Sequence, residues 1–471
     1  MKQKTKTKPL DRIRRTAMVL TLAACGVPMM SSAEDLSQIY QLARGADPTL
    51  AIADDNRNAT QENVPQARAA LLPQINGSIG YTHADGDSYG AVGSATPNPA
   101  SVPSSTITRT RTRPEEIQLS QTLFNWADIE RVRSAEASAE GADFTYDAAS
   151  QDLLVRTATA YFGVLTAEDQ FTFAQLNQKA LQTQLDQAEQ RFKVGLASIT
   201  DVHVARAQRD TAAAQVISAQ NTVETAREVV AQIIGKSFGD LKKLRDPVPL
   251  DKPEPPDMQA WVDMASKQNP ALAAARKSVD ASEFNVAQQR AGHYPTLTGT
   301  LTRANTPQWG SSTETFAGSS SSLFPSSALN NGTTIGVTLN IPIFSGGLVS
   351  AQTRQALFQR DAAQDQLDLD RRTVVANTRN AYRASIAGIS EVEATKTAVI
   401  SAESAVKASQ AGYEVGTKTI IDVLSSQATL LQAQSTYSQA RHQFVLSGLQ
   451  LKQAAGVISI KDLQAVNSLL E

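Results

Sequence analysis

Val194-Gly195-Leu196-Ala197-Ser198-Ile199-Thr200-Asp201-Val202 recurs as Val415-Gly416-Thr417-Lys418-Thr419-Ile420-Ile421-Asp422-Val423, 221 positions later. Outward from this pair the echo continues. Pro48, Asn63, Val64, Arg68 and Pro73 return as Pro270, Asn285, Val286, Arg290 and Pro295, each 222 positions on. A period this long marks a duplicated structural unit, not a stacked array of short repeats. Both halves are therefore expected to build the same thing, with functional residues in pseudo-symmetric pairs.

Each glycine segment follows a long helical run. From about Ala127 to Phe192 there is no proline, and only Gly141 and Gly163 interrupt. Leu181, Leu185, Ala188 and Phe192 fall on one face of a 3.6-residue period. At about 1.5 Å per residue, such a run makes a rod of about 100 Å. The second half repeats it from about Leu348 to Gly412, again without proline. Return helices are expected over roughly Ile199–Ile234 and Ile420–Ala455, where Ile421, Leu424, Ala428 and Leu431 keep heptad-like spacing. Taken alone, this periodicity fits an ordinary coiled-coil hairpin equally well.

The strands argue for more. Ile335, Val337, Leu339, Ile341 and Ile343 alternate with Gly336, Thr338, Asn340 and Pro342. Weaker alternations lie at Ile75 to Tyr81, Ile117 to Leu123 and Leu297 to Leu301. A transmembrane β-strand needs about nine to eleven residues. Polar loops are expected between the members of each strand pair, over about 84–112 and 303–332. Four strands cannot close a membrane barrel, and open sheet edges are not tolerated in lipid. The chain must therefore oligomerise. Two copies give eight strands, whose interior side chains fill, so an aqueous duct requires at least three copies.

The rest of the composition narrows the class. Lys2, Lys4, Lys6, Lys8, Arg12, Arg14 and Arg15 precede an apolar stretch from Ala17 and then Ser31-Ser32-Ala33, the pattern of a secretory signal. Removing it takes the net charge from −2 to −8, with no basic block suited to nucleic acid. Cys25 is the only cysteine, so no intrachain disulfide can form. Leu22-Ala23-Ala24-Cys25 resembles a lipoprotein processing box, which leaves lipidation of Cys25 as an alternative. Cleavage after Ala33 is favoured, because Glu34-Asp35-Leu36 opens directly into helical patterning. No later apolar run is long enough for a transmembrane helix. His83, His203, His293 and His442 are scattered, no metal spacing, nucleophile elbow or phosphate loop occurs, and neither an enzyme nor a cofactor is expected.

From end to end, the mature chain resembles the TolC-type outer-membrane efflux and secretion channels. The segments that carry the resemblance are Arg191-Phe192-Lys193-Val194-Gly195-Leu196 with Asp201-Val202, and Gly412-Tyr413-Glu414-Val415-Gly416-Thr417-Lys418-Thr419-Ile420 with Val423. Glu34-Asp35-Leu36 and Leu71-Leu72-Pro73-Gln74 fit as well. The resemblance implies an α+β membrane protein. It would be a homotrimer whose twelve-stranded β-barrel, four strands from each chain, continues into a long α-helical barrel through the periplasm of a Gram-negative bacterium. The implied partners are outer-membrane lipid, a periplasmic adaptor (membrane fusion protein) and an inner-membrane pump of RND or ABC type.

On that pattern the organisation is a signal peptide over 1–33 and a first repeat over 34–237, with strands near 74–83 and 115–124 and a helical hairpin near 127–235. A Pro-rich equatorial linker over 238–256 leads to a second repeat over 257–455. That repeat has strands near 296–303 and 333–343 and a hairpin near 348–455, and a C-terminal equatorial segment spans 456–471.

The family's sites are carried over in the same way. Adaptor docking falls on Val194, Gly195, Leu196, Val415, Gly416 and Thr417. The periplasmic gate falls on Thr200, Asp201, Tyr413 and Lys418, with a second constriction at Gln184 and Gln410. Asp422 falls on a ring of carboxylates at the narrowest point. Three like charges there would repel, raise the apparent pKa of the set and attract cations. Three departures stand out. Lys418 replaces the usual arginine, Gln410 a glutamate, and Ser425 a second ring aspartate. Lysine cannot form arginine's planar bidentate clasp, so a looser gate is expected, and with one ring a weaker cation preference. The rival reading is an oligomeric periplasmic coiled-coil scaffold or adhesin anchored in the outer membrane, which has no use for paired strands and paired glycine tips.

Overall fold

The computed structural model describes residues 33–92, 102–316 and 319–471. Apart from Ala33, the signal and Cys25 lie outside the described residues. The first helix, α1 (Leu36–Ala46), starts at Asp35, whose side chain caps it in a reciprocal box with Gln38. Asp47 ends α1 and caps α2 (Pro48–Gln61), where Pro48 occupies the first turn and its missing N–H costs nothing. After α3 (Asn63–Ala69) the chain enters a sheet.

Among the described residues six strand segments make that sheet: β1 (Gln74–Ile79), β2 (Thr82–Val92), β3 (Val102–Thr112), β4 (Glu115–Phe124), β5 (Thr296–Phe316) and β6 (Ser319–Asn340). They amount to four long strands, because pairing carries across the breaks without a slip. Ile79 faces Glu115 and, three residues on, Thr82 faces Thr112. Likewise Glu115 faces Asn305 and Arg111 faces Trp309. Every pairing is antiparallel, in the order β1/β2, β3/β4, β5, β6. The outer edges of β1/β2 and of β6 have no partner strand among the described residues.

The strands run well beyond the expected bounds. Residues 84–92, 102–112, 303–316 and 319–332, expected as polar loop, are paired strand. In 102–112 and 303–316 threonine supplies the reason: it is β-branched and sits well on a pleated surface, although its polarity suggests loop. Residues 84–92 and 319–332 hold no threonine and are drawn into the sheet as the antiparallel partners of those strands. The register also sorts the two faces. Ile75, Leu119, Leu301 and Ile335 align across all four strands. The opposite face carries Asn76, Gln118, Thr302 and Thr334 in the next row. None of the helices among the described residues is long and apolar enough to cross a membrane.

From the sheet α4 (Trp126–Lys193) runs for 68 residues, about 100 Å. It returns as α5 (Ile199–Ile234). Past α6 (Met258–Gln268) and α7 (Pro270–Arg290), the second half builds α8 (Leu348–Glu414), of 67 residues, and α9 (Ile420–Ala454). Near the sheet α4 packs on α2, α3 and α7, tied by Arg57–Asp143 at 2.6 Å, Arg68–Glu136 at 2.5 Å and Lys277–Glu140 at 2.7 Å. Further along it packs on α5, tied by Arg227–Glu168 at 3.3 Å and Arg206–Glu189 at 2.7 Å.

The main core sits midway along the rods. Leu36, Ile39, Leu153, Phe162, Ile234 and Leu463 of α10 (Ile460–Asn467) belong to it. Tyr161 donates to the Lys242 carbonyl at 2.8 Å, and Leu244 bridges Leu470, so the segment after α5 and the chain's last residues are stitched together there. His442 of α9 is buried in the same region, against Phe162 of α4. Thr166 Oγ1 donates to the Phe162 carbonyl, leaving its oxygen to accept from His442 Nδ1 at 2.8 Å. Burial pushes this imidazole down to about 4; Asp169 opposes the shift and Arg441 adds to it.

Candidate functional site

The two recurring segments form matching tips. α4 ends at Val194, and Gly195 takes φ of 77°. Leu196 N–H donates to Arg191 O at 2.8 Å and Gly195 N–H to Phe192 O at 3.0 Å, the paired bonds of a Schellman ending. α8 ends in the same way at Val415. Gly416 takes φ of 81°, Thr417 N–H donates to Gly412 O at 2.8 Å and Gly416 N–H to Tyr413 O at 3.2 Å. A Cβ at either glycine would meet nothing within 4 Å. Only the left-handed backbone demands glycine there. The turns leave apolar side chains in solvent, with Val194, Leu196 and Val415 all about 70% exposed or more.

The carboxylates of the candidate gate serve the next helices. Asp201 accepts from the Ser198 N–H at 3.0 Å while Ser198 Oγ accepts from the Asp201 N–H at 3.1 Å, a reciprocal cap on α5. Asp422 repeats this on α9. It accepts from the Thr419 N–H at 2.8 Å and the Thr419 hydroxyl at 2.9 Å. The Thr419 bonds, backbone first, hold the Asp422 carboxyl below the usual aspartate range, with help from nearby Lys418. That is opposite to the shift expected from three carboxylates in a ring. Within one chain the cap sets the direction.

Tyr413 joins the two tips. Its ring is buried with Leu181 of α4, Ala212 of α5 and Ile420, Val423 and Leu424 of α9. The Arg191 guanidinium carbon lies 4.6 Å from the ring centroid, and Arg191 donates to the Tyr413 carbonyl at 3.1 Å. A cleft of about 390 Å³ opens beside this contact, lined by Asp186, Gln190, Arg191, Tyr413 and Glu414 among others. The Tyr413 hydroxyl and Gln184 Oε1 are buried with no hydrogen-bond partner among the described residues. Such orphans call for an explanation.

The remaining expected residues are placed apart from that contact. Thr200, Lys418 and Ser425 are exposed, and Gln410 is half-buried. No ion pair joins Asp201 to Lys418 among the described residues. Lys418 folds back on Gly412 instead, where a Cβ would meet its Cγ at 2.7 Å. The structure thus brings Gln184, Tyr413 and Asp422 to one end of the helices, along with both tips, but shows no direct bond among Asp201, Tyr413 and Lys418. Of the expected stripe, Leu424 is buried while Ile421 and Ala428 are exposed, and Ile420 and Val423 are buried in their stead. Arg191 was not among the expected gate residues. Its position one turn before Gly195 was the only signal, and its partner lies 222 residues away.

Comparison with known proteins matches this architecture. The family described as outer membrane efflux protein matches over residues 39–236 and again over 261–457. Outer membrane protein TolC of Escherichia coli is 35% identical over 458 residues, covering 96% of this chain and 88% of the relative. Alkaline protease secretion protein AprF of Pseudomonas aeruginosa is 28% identical over 441 residues, covering 91% of this chain and 85% of the relative. The solved outer membrane protein VceC of Vibrio cholerae superposes with a TM-score of 0.70 at 19% identity, covering 89% of this chain and 96% of that one. The chain therefore belongs to the outer membrane efflux protein family, as a TolC-type outer membrane factor.

Proposed function

We propose that three copies of this chain close a twelve-stranded barrel in the outer membrane, and that their long helices continue it as a periplasmic duct. The protein is a passive exit duct for efflux or secretion and not an enzyme. The observation that carries the trimer is the four-strand sheet with one apolar face and two edges that have no partner strand among the described residues. In lipid each edge must find a partner. Joining β6 of one copy to β1/β2 of the next satisfies every edge, and twelve strands leave room for water where eight do not. The family match over two segments that start 222 residues apart supports an internal duplication.

The tips supply the periplasmic end. Val194, Gly195 and Leu196, with Val415, Gly416 and Thr417, present a rigid turn and exposed apolar side chains to an adaptor, which couples the duct to an inner-membrane pump of RND or ABC type. Thr200, Asp201, Tyr413 and Lys418 form the gate, and Gln184 and Gln410 a second constriction. The orphaned Tyr413 hydroxyl and Gln184 carbonyl support this, because polar groups left unsatisfied inside a packed contact lower the cost of a rearrangement that exposes them. Asp422, with Ser425 one turn on, rings the narrowest point. An exposed ion pair is worth about 0–1 kcal/mol and a hydrogen bond about 1 kcal/mol. Three copies then hold the gate by several kcal/mol, comparable with the roughly 5.5 kcal/mol that swings a two-state equilibrium.

Mass measurement of the detergent-purified protein tests the assembly. Three chains per particle, with heat-sensitive migration, is the expected result. A monomer or dimer that still conducts ions would overturn the edge argument. A folded particle that never conducts would favour the scaffold.

A further inference from the structure

We infer that the outward face of the barrel carries a binding surface for the phosphate groups of an outer-leaflet glycolipid, built on Arg109, Arg111 and Arg113. The inference rests on the barrel reading above, which sets the sheet's apolar face toward lipid. Arg109-Thr110-Arg111-Thr112-Arg113 alternates strictly, so its arginines share one face and its threonines the other. The register fixes which face. Ile117 and Leu119 lie on the same strand at the same parity as the three arginines, with no slip between Glu115–Asn305 and Arg111–Trp309. The arginines therefore point the same way as Ile75, Leu119, Leu301 and Ile335.

Their depth is fixed independently. Tyr81 and Trp309 stand on this face with ring centroids 6.3 Å apart. Trp309 is paired with Arg111. Aromatic side chains just beyond the apolar band mark the headgroup level in membrane barrels. Four residues separate Ile117 from Arg113, about 13 Å along a strand. The arginines thus lie beyond the apolar band, on the side away from the helices, which is the outer leaflet in the proposed orientation. Long basic side chains there can keep their stems on lipid and reach phosphates.

The charge on this face is mixed. Asp85 lies 4.0 Å from Arg109 and Glu115 lies 3.0 Å from Arg113. Asp87 shares the face two residues beyond Asp85. Arg111, in the middle, is exposed and makes no ion pair among the described residues. Arg303, paired with Ile117, adds a fourth guanidinium on the same side, bonded to Thr333 Oγ1 at 3.0 Å. A ligand with more than one phosphate engages Arg111 directly and draws Arg109 and Arg113 from their carboxylates. Arginine's planar fork suits phosphate.

The test uses the full chain purified in detergent, titrated with a fluorescent bisphosphorylated lipid A and with its dephosphorylated form. Conductance and heat-sensitive migration are checked on each preparation. The wild type is expected to bind the phosphorylated lipid at least tenfold more tightly. Arg109→Gln/Arg111→Gln/Arg113→Gln is expected to abolish that preference, and the corresponding triple Lys variant to retain most of it. If the triple Gln variant does not fold, Arg111→Gln alone is expected to lose several-fold. Equal binding of the two lipids by the wild type overturns the inference, as does an unchanged preference in a folded triple Gln variant. Displacement of the lipid by millimolar inorganic phosphate overturns it too, making free phosphate the ligand. Failure of conductance in the wild type would strike the barrel reading instead.

Discussion

Arg191 and Tyr413 face each other across the two helical hairpins, guanidinium on ring at 4.6 Å, with Arg191 also donating to the Tyr413 carbonyl at 3.1 Å. This contact ties the end of α4 to the end of α8, the two helices that must separate if the tips spread. A cation–π contact at a partly exposed site is worth about 0.5–1 kcal/mol and the hydrogen bond about 1 kcal/mol. Arg191→Ala should therefore raise resting single-channel conductance several-fold while barely moving the thermal midpoint. Unchanged conductance would mean the two hairpins open as one body.

The glycine tips make a sharper case. At φ near +80° an added Cβ costs about 1–2 kcal/mol, although space is free around it. Gly416→Ala should weaken adaptor binding roughly tenfold by reshaping the turn, and Gly416→Asn, which tolerates this region better, should weaken it less. Surface plasmon resonance with the purified adaptor separates the two.

Asp422 supplies a pH prediction. Its carboxyl titrates below the usual aspartate range because Thr419 hydrogen bonds hold it ionised. A lowered folded pKa gives stability that is present above the unfolded value, near 4, and lost as pH falls through the lowered one. Cation preference should accordingly persist through pH 4 and vanish in Asp422→Asn at all pH values. Loss of preference near pH 5 in the wild type would show that repulsion between copies outweighs the cap.

His442, buried against Phe162, gives a second loss of stability with falling pH. Burial holds it neutral with a pKa near 4, whereas an unfolded histidine titrates near 6.5. The unfolded state then binds more protons between those values, so stability is full above about 6.5 and falls as pH drops toward 4. Thermal midpoints measured across that window should decline, and His442→Gln, which can still donate to Thr166, should flatten the decline. A parallel slope in the variant would assign the loss to other groups.

Much of this was legible in the chain. The long helices announce themselves by the absence of proline, and their ends by Gly195 and Gly416. What escaped has physical causes. Thr106 to Thr112 looks like loop because its composition is polar, yet its odd positions hold Ile107, Arg109 and Arg111 and its even ones threonine, a strand period hidden by chemistry. Ser198-x-x-Asp201 and Thr419-x-x-Asp422 have the spacing of capping boxes, but the same carboxylates also suit a gate, and spacing alone does not separate the two roles. The exposed Ile421 shows that a heptad can be read one position off when several helix faces are covered. For Arg191 on Tyr413 the chain offers only the place of Arg191 one turn before Gly195, because nothing local pairs residues on two different hairpins.

The proposed duct is closed at its tips by side chains around Asp201 and Lys418. Single-channel conductance in a planar bilayer tests it most directly, comparing the wild type with Lys418→Arg and with Asp201→Asn/Lys418→Ala, where asparagine keeps the helix cap and removes the charge. A small wild-type current, a smaller one with arginine and a several-fold larger one in the double variant are expected. Equal currents from all three would contradict a gate at these residues.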